Sequence, residues 1–234
     1  MSLTAIIYSS LIKSFPQSKN DMFQILKCGN SYYESNMKEI LKSHQMFFSC
    51  KQLSFHTGPR DIRLKNVKIF GKKVVVRTEE EIMAVGLFGN EVRGLKNIGD
   101  ALKEFLDERL NTAAIVICEH SSRAIMKRTY DKISKYYLFD SHEFNSKTAF
   151  QLQHSLHGDG NAAFVVFDSA DSLIYTYKNL VYKFNPKIQL DLTEIVCEIN
   201  ENGDANNFSD IDNYNPSDNV NLRERLLRRF AQHK

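Results

Sequence analysis

An aspartate and a histidine lie two residues apart at the end of an apolar run, and together they could move a proton. Asp140 and His142 follow residues 136–139, which have the composition of a strand. At the two-residue period of a strand both side chains leave the same face, so the carboxylate could orient the imidazole. Such a pair forms two thirds of a nucleophilic triad. The alternative is a turn-forming aspartate beside a surface histidine.

Apolar runs before and after this pair predict the sheet that would hold it. Residues 113–118 predict a buried strand, residues 124–126 a short second strand, and residues 162–167 a later one. A polar connection precedes residue 136, and a long polar loop covers residues 143–161. The pair would therefore lie at the mouth of a sheet beside a long loop, where reactive residues are often found.

The order of these motifs resembles the papain-like ubiquitin-specific protease domain of herpesvirus large tegument proteins, with its relatives in other viruses and in mobile elements. The family's Phe-Asp-x-His strand end matches residues 139–142, and its Gly-x-Ala-x-x-x-x-Phe-x-Ser segment matches residues 160–169. Weaker matches lie at residues 25–33, 86–89 and 98–110. The resemblance implies an α+β, papain-like cysteine protease fold, in which a helical N-terminal part packs on a mostly antiparallel sheet.

By this resemblance, the ancestral activity is cleavage of the bond after ubiquitin's C-terminal glycine, without a metal or an organic cofactor. His142 would act as the general base and then the acid, while Asp140 would fix its tautomer. In the family a cysteine nucleophile begins the first helix, after a glutamine segment that helps form the oxyanion hole. The matching helix here is residues 5–12, which places that cysteine near Met1 or just upstream. No cysteine and no glutamine segment stand there.

The other cysteines offer one alternative nucleophile. Cys118 and Cys197 lie in apolar, strand-like segments that are typical of buried structural thiols. Cys28 stands at the predicted C-terminus of a helix, where the dipole would raise its pKa. Cys50 is the best internal alternative. The sequence therefore favours a deubiquitinase-like pseudoenzyme that still binds ubiquitin or a ubiquitin-like protein. An active deubiquitinase that uses Cys50, or a longer natural form, remains open.

Composition predicts one domain followed by a tail. The 234 residues are 42% hydrophobic, which suffices for a large core, and a net charge of +3 is too balanced to indicate nucleic-acid binding by itself. No secretory leader or membrane span is recognisable, and the thiols are expected to be reduced, in cytoplasm or nucleus. We expect a protease-like domain at residues 1–199, a flexible polar linker at 200–219, and a basic amphipathic helix at 220–234.

A third hypothesis is a structural or nucleic-acid-associated protein that uses basic residues. Residues 65–78 predict a hairpin with Gly71 in its turn, and the C-terminal helix adds four arginines. The cations of the hairpin are Lys65, Lys68, Lys72, Lys73 and Arg77. Arg123, Lys127 and Arg128 would enlarge this patch only if the fold brought them beside the hairpin.

Overall fold

Four helices and nine strands make up the part of the chain that the computed structural model describes. That part is residues 1–12, 16, 18–43, 62–85, 97–118, 121–141, 155–157, 162–181, 189–202 and 207–214. The helices are α1 (Ser2–Ile12), α2 (Lys19–Ser43), α3 (Ile98–Asp107) and α4 (Ala170–Val181). The strands are β1 (Asn66–Ile69), β2 (Lys72–Val85), β3 (Thr112–Cys118), β4 (Ser121–Tyr130), β5 (Ile133–Asp140), β6 (Ser155–His157), β7 (Ala163–Phe167), β8 (Gln189–Ile199) and β9 (Ser209–Asp210).

All nine of these strands join one sheet, in the order β6-β7-β5-β4-β3-β8-β2-β1-β9. Neighbouring strands run antiparallel, except that β9 runs parallel to β1. At its centre, β3, β4 and β5 form a meander, and a two-residue turn with positive φ at Asp131 and Lys132 closes its second hairpin. The predicted α+β fold with a mostly antiparallel sheet is confirmed.

The first face of the sheet is covered by α1 and α2. Every residue from Ser2 to Ser9 is buried, so α1 has no solvent-facing stripe along most of its length. Its polar groups are satisfied locally, since the Thr4 hydroxyl donates to the Met1 and Ile25 carbonyl oxygens at 2.6 and 3.2 Å. Alternate residues of the strands pack under these helices, among them Ala113, Ile115, Ala124, Met126, Phe139 and Phe164.

The second face is covered by α3 and α4. Asn97 caps α3 by accepting a bond from the Asp100 amide at 2.9 Å, and Ser169 caps α4 by accepting one from the Ser172 amide at 3.1 Å. Both helices bury an apolar stripe against the strand residues that the first face leaves out, such as Ala114, Val116, Ile125, Leu138 and Val165. No helix in the described ranges has both the length and the apolar character needed to cross a membrane.

Gly29 sets the distance between the two helices of the first face. A Cβ at this position would lie 2.8 Å from Thr4 Oγ1 and 2.9 Å from the Met1 Cα atom. Only a residue without a side chain lets the start of α1 approach α2 this closely. Near the other end of α1, the Tyr8 hydroxyl bonds to the Asp21 side chain. Burial, with Asp21 acting second, raises the pKa of Tyr8 to about 12.

Part of the predicted linker is packed on the sheet, which corrects the expectation of a flexible segment at residues 207–214. We name these residues the clasp. Within it β9 pairs with β1, and Ile211 is buried in the core of the first face. The Asp212 carboxylate accepts bonds from the Phe70 and Gly71 amides, at 2.7 and 2.8 Å, in the turn of the β1–β2 hairpin. One buried isoleucine and two charge-assisted bonds thus hold a segment whose composition suggests a loop.

Candidate functional site

The start of α1 lies against the start of β4, on the first face of the sheet. The Ser2 hydroxyl donates to the Ser122 carbonyl oxygen at 3.0 Å and lies 3.0 Å from the Ser122 hydroxyl. Residue 122 adjoins Arg123, which is paired with Asp140 across the β4–β5 hairpin. The helix therefore begins at the same end of the sheet as the predicted Asp-x-His pair. The first residue of the helix is Ser2, which Met1 precedes, and neither side chain carries a thiol.

A cleft of about 90 Å³ opens at this end of α1. Its walls come from α1, α2, the ends of β3 and β4, and Ile62. The polar groups of its α2 wall are bonded to the backbone beside the cleft: the Tyr32 hydroxyl donates to the Leu64 carbonyl oxygen, and Asn36 Oδ1 accepts from the Arg63 amide at 2.7 Å. Tyr33 also lines the cleft and is 46% exposed. The cleft is thus a preformed groove with an accessible aromatic side chain at its wall.

Asp140 lies at the same end of the sheet but on the second face. Its side chain follows the alternation that puts Leu138 into the core beneath α3 and α4. Asp140 is 3% exposed, and its Oδ2 atom lies 2.5 Å from Nε of Arg123, which is 7% exposed. The family-motif aspartate therefore has a buried cation as a partner.

Tyr177 of α4 closes over this ion pair. The guanidinium carbon of Arg123 is 5.9 Å from the centroid of the Tyr177 ring, within the range of a cation–π contact. Burial raises the pKa of the Tyr177 hydroxyl, with the neighbouring Cys118 acting in the same direction and Arg123 opposing both. Arg123, Asp140 and Tyr177 form a polar network inside an otherwise apolar core, which we call the Arg123 network.

The predicted site residues are only partly placed. Asp140 is described, whereas His142 and Cys50 lie outside the described residues. The start of α1 and Asp140 share one end of the sheet, but the sheet separates them. The sequence pointed to Arg123 only as part of a basic patch and gave no signal for Tyr177. The signal that could have placed Arg123 is the Asp131-Lys132 pair, because a two-residue turn there sets Arg123 opposite Asp140.

The described thiols have the surroundings of structural cysteines and not those of a reactive nucleophile. Burial, with Asp212 acting second, raises the pKa of Cys28 to about 11, and burial raises that of Cys197 to about 12. Cys118 is buried in β3, as predicted. The placement of Cys28 at a helix end was wrong, because α2 continues through Gly29 to Ser43. Its raised pKa thus comes from burial and not from a helix terminus.

The basic hairpin is confirmed, but most of its charges are balanced within the fold. Lys68 pairs with Asp210 at 3.2 Å, Lys72 with Glu201 at 3.9 Å, and Arg77 with Glu198. Lys73 lies 6.0 Å from the centroid of the Phe208 ring. Three of the five cations therefore have a carboxylate partner, which weakens the case for a surface that recruits nucleic acid.

The second basic cluster does not enlarge the hairpin patch. Arg123, Lys127 and Arg128 are all buried on β4, and β3 and β8 separate that strand from the hairpin. Arg128 donates to Ser10 Oγ at 2.8 Å and to the Thr112 carbonyl oxygen at 3.1 Å, so it ties α1 to the sheet. These cations are structural. The basic helix predicted at residues 220–234 lies outside the described residues.

Metal chemistry has no support in the described part of the chain. No group of three or more His, Cys, Asp or Glu side chains is close enough there to hold an ion. The charge of Asp140 faces a guanidinium, so the electrostatics of this region are those of an ion pair.

Comparison with known proteins gives one family match and a similar solved structure. The family model described as herpesvirus tegument protein, N-terminal conserved region, matches residues 1–198. Among solved structures, the chain is similar to the ubiquitin-specific protease encoded by murine cytomegalovirus tegument protein M48, which was crystallised with a ubiquitin-based suicide substrate. The TM-score is 0.65 at 13% identity, over 86% of this chain and 77% of that one. No curated protein matches. At this identity the structural match concerns the fold, which agrees with the papain-like architecture implied by the motifs.

Proposed function

The chain belongs to the family of the herpesvirus tegument protein N-terminal conserved region. From that premise we propose that it is a deubiquitinase-like domain that binds ubiquitin or a ubiquitin-like protein without cleaving the bond after its C-terminal glycine. The observation that carries this proposal is the start of α1. That helix begins at Ser2 beside an open cleft, and none of the described residues that line the cleft is a cysteine.

The binding half of the proposal draws on the cleft. Recognition of a flexible protein tail needs a groove and surface contacts, and neither depends on a nucleophile. The cleft offers a fixed wall, in which Tyr32 and Asn36 hold the adjoining backbone, and the exposed ring of Tyr33. The partner is assigned by resemblance, because the solved structure that is similar to this chain contains a ubiquitin-based substrate.

The silent half of the proposal draws on three features. The first turn of α1 has no thiol, Cys28 and Cys197 have raised pKa values, and Asp140 faces a buried arginine across the sheet from α1. Hydrolysis by a triad needs the nucleophile, the base and the orienting acid in one hydrogen-bonded chain. We also assign the chain to the cytoplasm or nucleus, where thiols such as Cys28 and Cys197 stay reduced.

A ubiquitin probe with a C-terminal thiol-reactive electrophile tests the silent half. We expect no covalent adduct by mass spectrometry, together with measurable binding of unmodified ubiquitin by calorimetry. An adduct that disappears in Cys50→Ala and in His142→Ala would overturn the proposal in favour of an active cysteine deubiquitinase.

Matched variants make the probe experiment decisive. Cys28→Ala and Cys197→Ala serve as controls, because their thiols are expected to be unreactive whichever reading holds. An adduct that survives all single cysteine changes would indicate non-specific alkylation, which a denatured sample identifies. The absence of both adduct and binding would refute ubiquitin recognition and leave only the fold assignment.

A further inference from the structure

We propose that Arg123 and Tyr177 are positioning residues for Asp140, and that they hold its carboxylate on the second face of the sheet as part of the α4 core. In this chain the aspartate of the Phe-Asp-x-His motif would serve an internal ion pair. The inference assigns a structural role to a residue that the resemblance places in a catalytic triad. It rests on the proposed function in one respect, because only in a non-hydrolysing domain can this aspartate be non-catalytic.

The geometry of the pair is set by the backbone. Arg123 and Asp140 are directly opposite in the β4–β5 register, so their side chains leave the same face of adjacent strands. The Nε to Oδ2 distance of 2.5 Å is that of a charge-assisted hydrogen bond. Because strand pairing fixes both Cα positions, the contact requires little ordering beyond that of the two side chains.

Burial makes the two charges depend on each other. Arg123 is 7% and Asp140 is 3% exposed, so neither has more than a small area of contact with water. A buried charge that loses its partner is strongly destabilising, whereas a pair replaced together by apolar residues of similar size is often tolerated. The stability effects of the two residues should therefore be far from additive.

Tyr177 orients the guanidinium of Arg123. It is fully buried on α4, and its ring faces the guanidinium of Arg123 at 5.9 Å. A planar guanidinium can stack on a ring and bind a carboxylate at once, which a lysine ammonium does less well. The tyrosine therefore favours the arginine orientation that meets Asp140, and it links the end of β5 to α4.

The pairing has a consequence for His142. The negative charge of Asp140 is largely cancelled by a cation 2.5 Å away, so Asp140 should add little to the stability of an imidazolium. An aspartate that orients a histidine in a triad would instead raise the histidine pKa. The pKa of His142 thus distinguishes a structural role of Asp140 in the core from a role of Asp140 in a catalytic triad.

A double-mutant cycle tests the pair, using Arg123→Met, Asp140→Leu and the double variant in thermal unfolding of the whole chain. Each single change should lower Tm by roughly 10 °C, and the double variant should recover most of that loss. The control cycle is Lys103→Met with Asp171→Leu, an exposed pair at 2.9 Å whose changes should be additive within roughly 2 °C. If the singles do not fold, a folded double variant is the same result in stronger form. Additive effects, or a double variant that does not fold, would overturn the inference.

Histidine NMR supplies the second readout, with His142 assigned from the His142→Gln spectrum. Removing both charges of the pair together should change the pKa of His142 by less than about 0.3. A fall of about 1 would show that Asp140 supports the imidazolium, which overturns the inference even if the cycle is non-additive. Ubiquitin binding by the unaltered chain is measured separately, so a failure there counts against the proposed function and leaves this result intact.

Discussion

Two neighbouring residues of β4 lie in opposite surroundings on the two faces of the sheet, one beside an open cleft and one in a buried ion pair. On the first face, Ser122 receives the start of α1 and borders an open cleft. On the second face, Arg123 is enclosed by Asp140 and by the ring of Tyr177. One residue along the strand thus separates an accessible groove from a buried ion pair.

This contrast shows where binding and stability reside at this end of the molecule. Small hydroxyl side chains and Gly29 bring the backbones of the first face close together and leave a cleft beside them. The second face is filled by large side chains, and the two opposite charges beneath Tyr177 of α4, Arg123 and Asp140, neutralise each other. A partner is therefore expected to contact the first face, whereas substitutions in the Arg123 network should act mainly on folding.

The largest expected effect concerns thiol reactivity on the first face. With a pKa of about 11, the Cys28 thiol should hold about 100-fold less thiolate at pH 8 than an ordinary cysteine with a pKa of 9.0. We expect iodoacetamide to modify it at least that much more slowly in the native chain than in denaturant, as followed by peptide mass spectrometry. Equal rates in the native and denatured states would contradict the burial of the Cys28 thiol beneath the first face.

Gly29→Ala should disturb the first face alone. Helix propensity favours alanine by about 1 kcal/mol. The new Cβ would, however, lie below 3.0 Å from the Met1 backbone, and such overpacking costs up to about 3 kcal/mol. A net loss of about 2 kcal/mol is expected in urea unfolding. Asn30→Ala, one residue along the exposed side of α2, is the control and should stay within about 0.5 kcal/mol; equal values for both would contradict the close approach.

Tyr33→Ala should weaken ubiquitin binding about tenfold, the effect typical of an aromatic contact in a groove. The matched control is Tyr175→Ala on α4, since that side chain is more exposed, at 67%, but belongs to the other face. Calorimetry on both variants checks the comparison. Loss of binding in Tyr175→Ala with none in Tyr33→Ala would reverse our assignment of the faces.

Asp212→Asn should cost about 1 kcal/mol, because two charge-assisted bonds to the Phe70 and Gly71 amides become neutral ones. Asp131→Asn, in the turn of the β4–β5 hairpin, is the control, since asparagine accepts the same positive φ. Chemical denaturation measures both. Equal effects would mean that the clasp adds nothing specific to the first face.

The smallest effect is a dependence of the clasp on acid. Hydrogen bonding from the Asn213 side chain, with Lys68 assisting, lowers the pKa of Asp210 below its usual 3.8. The folded pKa is the lower one, so the stabilisation is complete above about pH 3.8 and is lost as pH falls through the folded value. Amide exchange at Ile211 should therefore quicken at acid pH, after correction for intrinsic rates, and Asp210→Asn should abolish that change. An unchanged pH profile in Asp210→Asn would remove Asp210 as the cause.

Apolar runs predicted several strands of the sheet, but the part of β4 that contains cations could not be predicted in this way. The strands at residues 113–118 and 162–167 were recognised because uninterrupted apolar runs leave little choice. Lys127, Arg128 and Thr129 have the composition of a polar connection, yet β4 continues through them. Part of the reason is that Arg128 bonds to Ser10 of α1, which is distant in the sequence. Single-chain patterns do not show a cation that is buried against another element.

The candidate site was predictable in its motif but not in its surroundings. Asp140 was found from its spacing to His142, yet its partner Arg123 comes from a different strand and its cover, Tyr177, from a helix that follows a long loop. The same limit explains the clasp. Asp212 has a structural role only because the hairpin turn presents two amides to it.

Residue-resolved NMR of the isotopically labelled chain during titration with unmodified ubiquitin tests the central claim most directly. The account predicts that shift changes cluster around the cleft, at Tyr33, Asn36 and Ser122, and leave Leu173 and Tyr177 of α4 unmoved. Changes centred on α4, or none at roughly millimolar ubiquitin, would contradict a ubiquitin-binding first face.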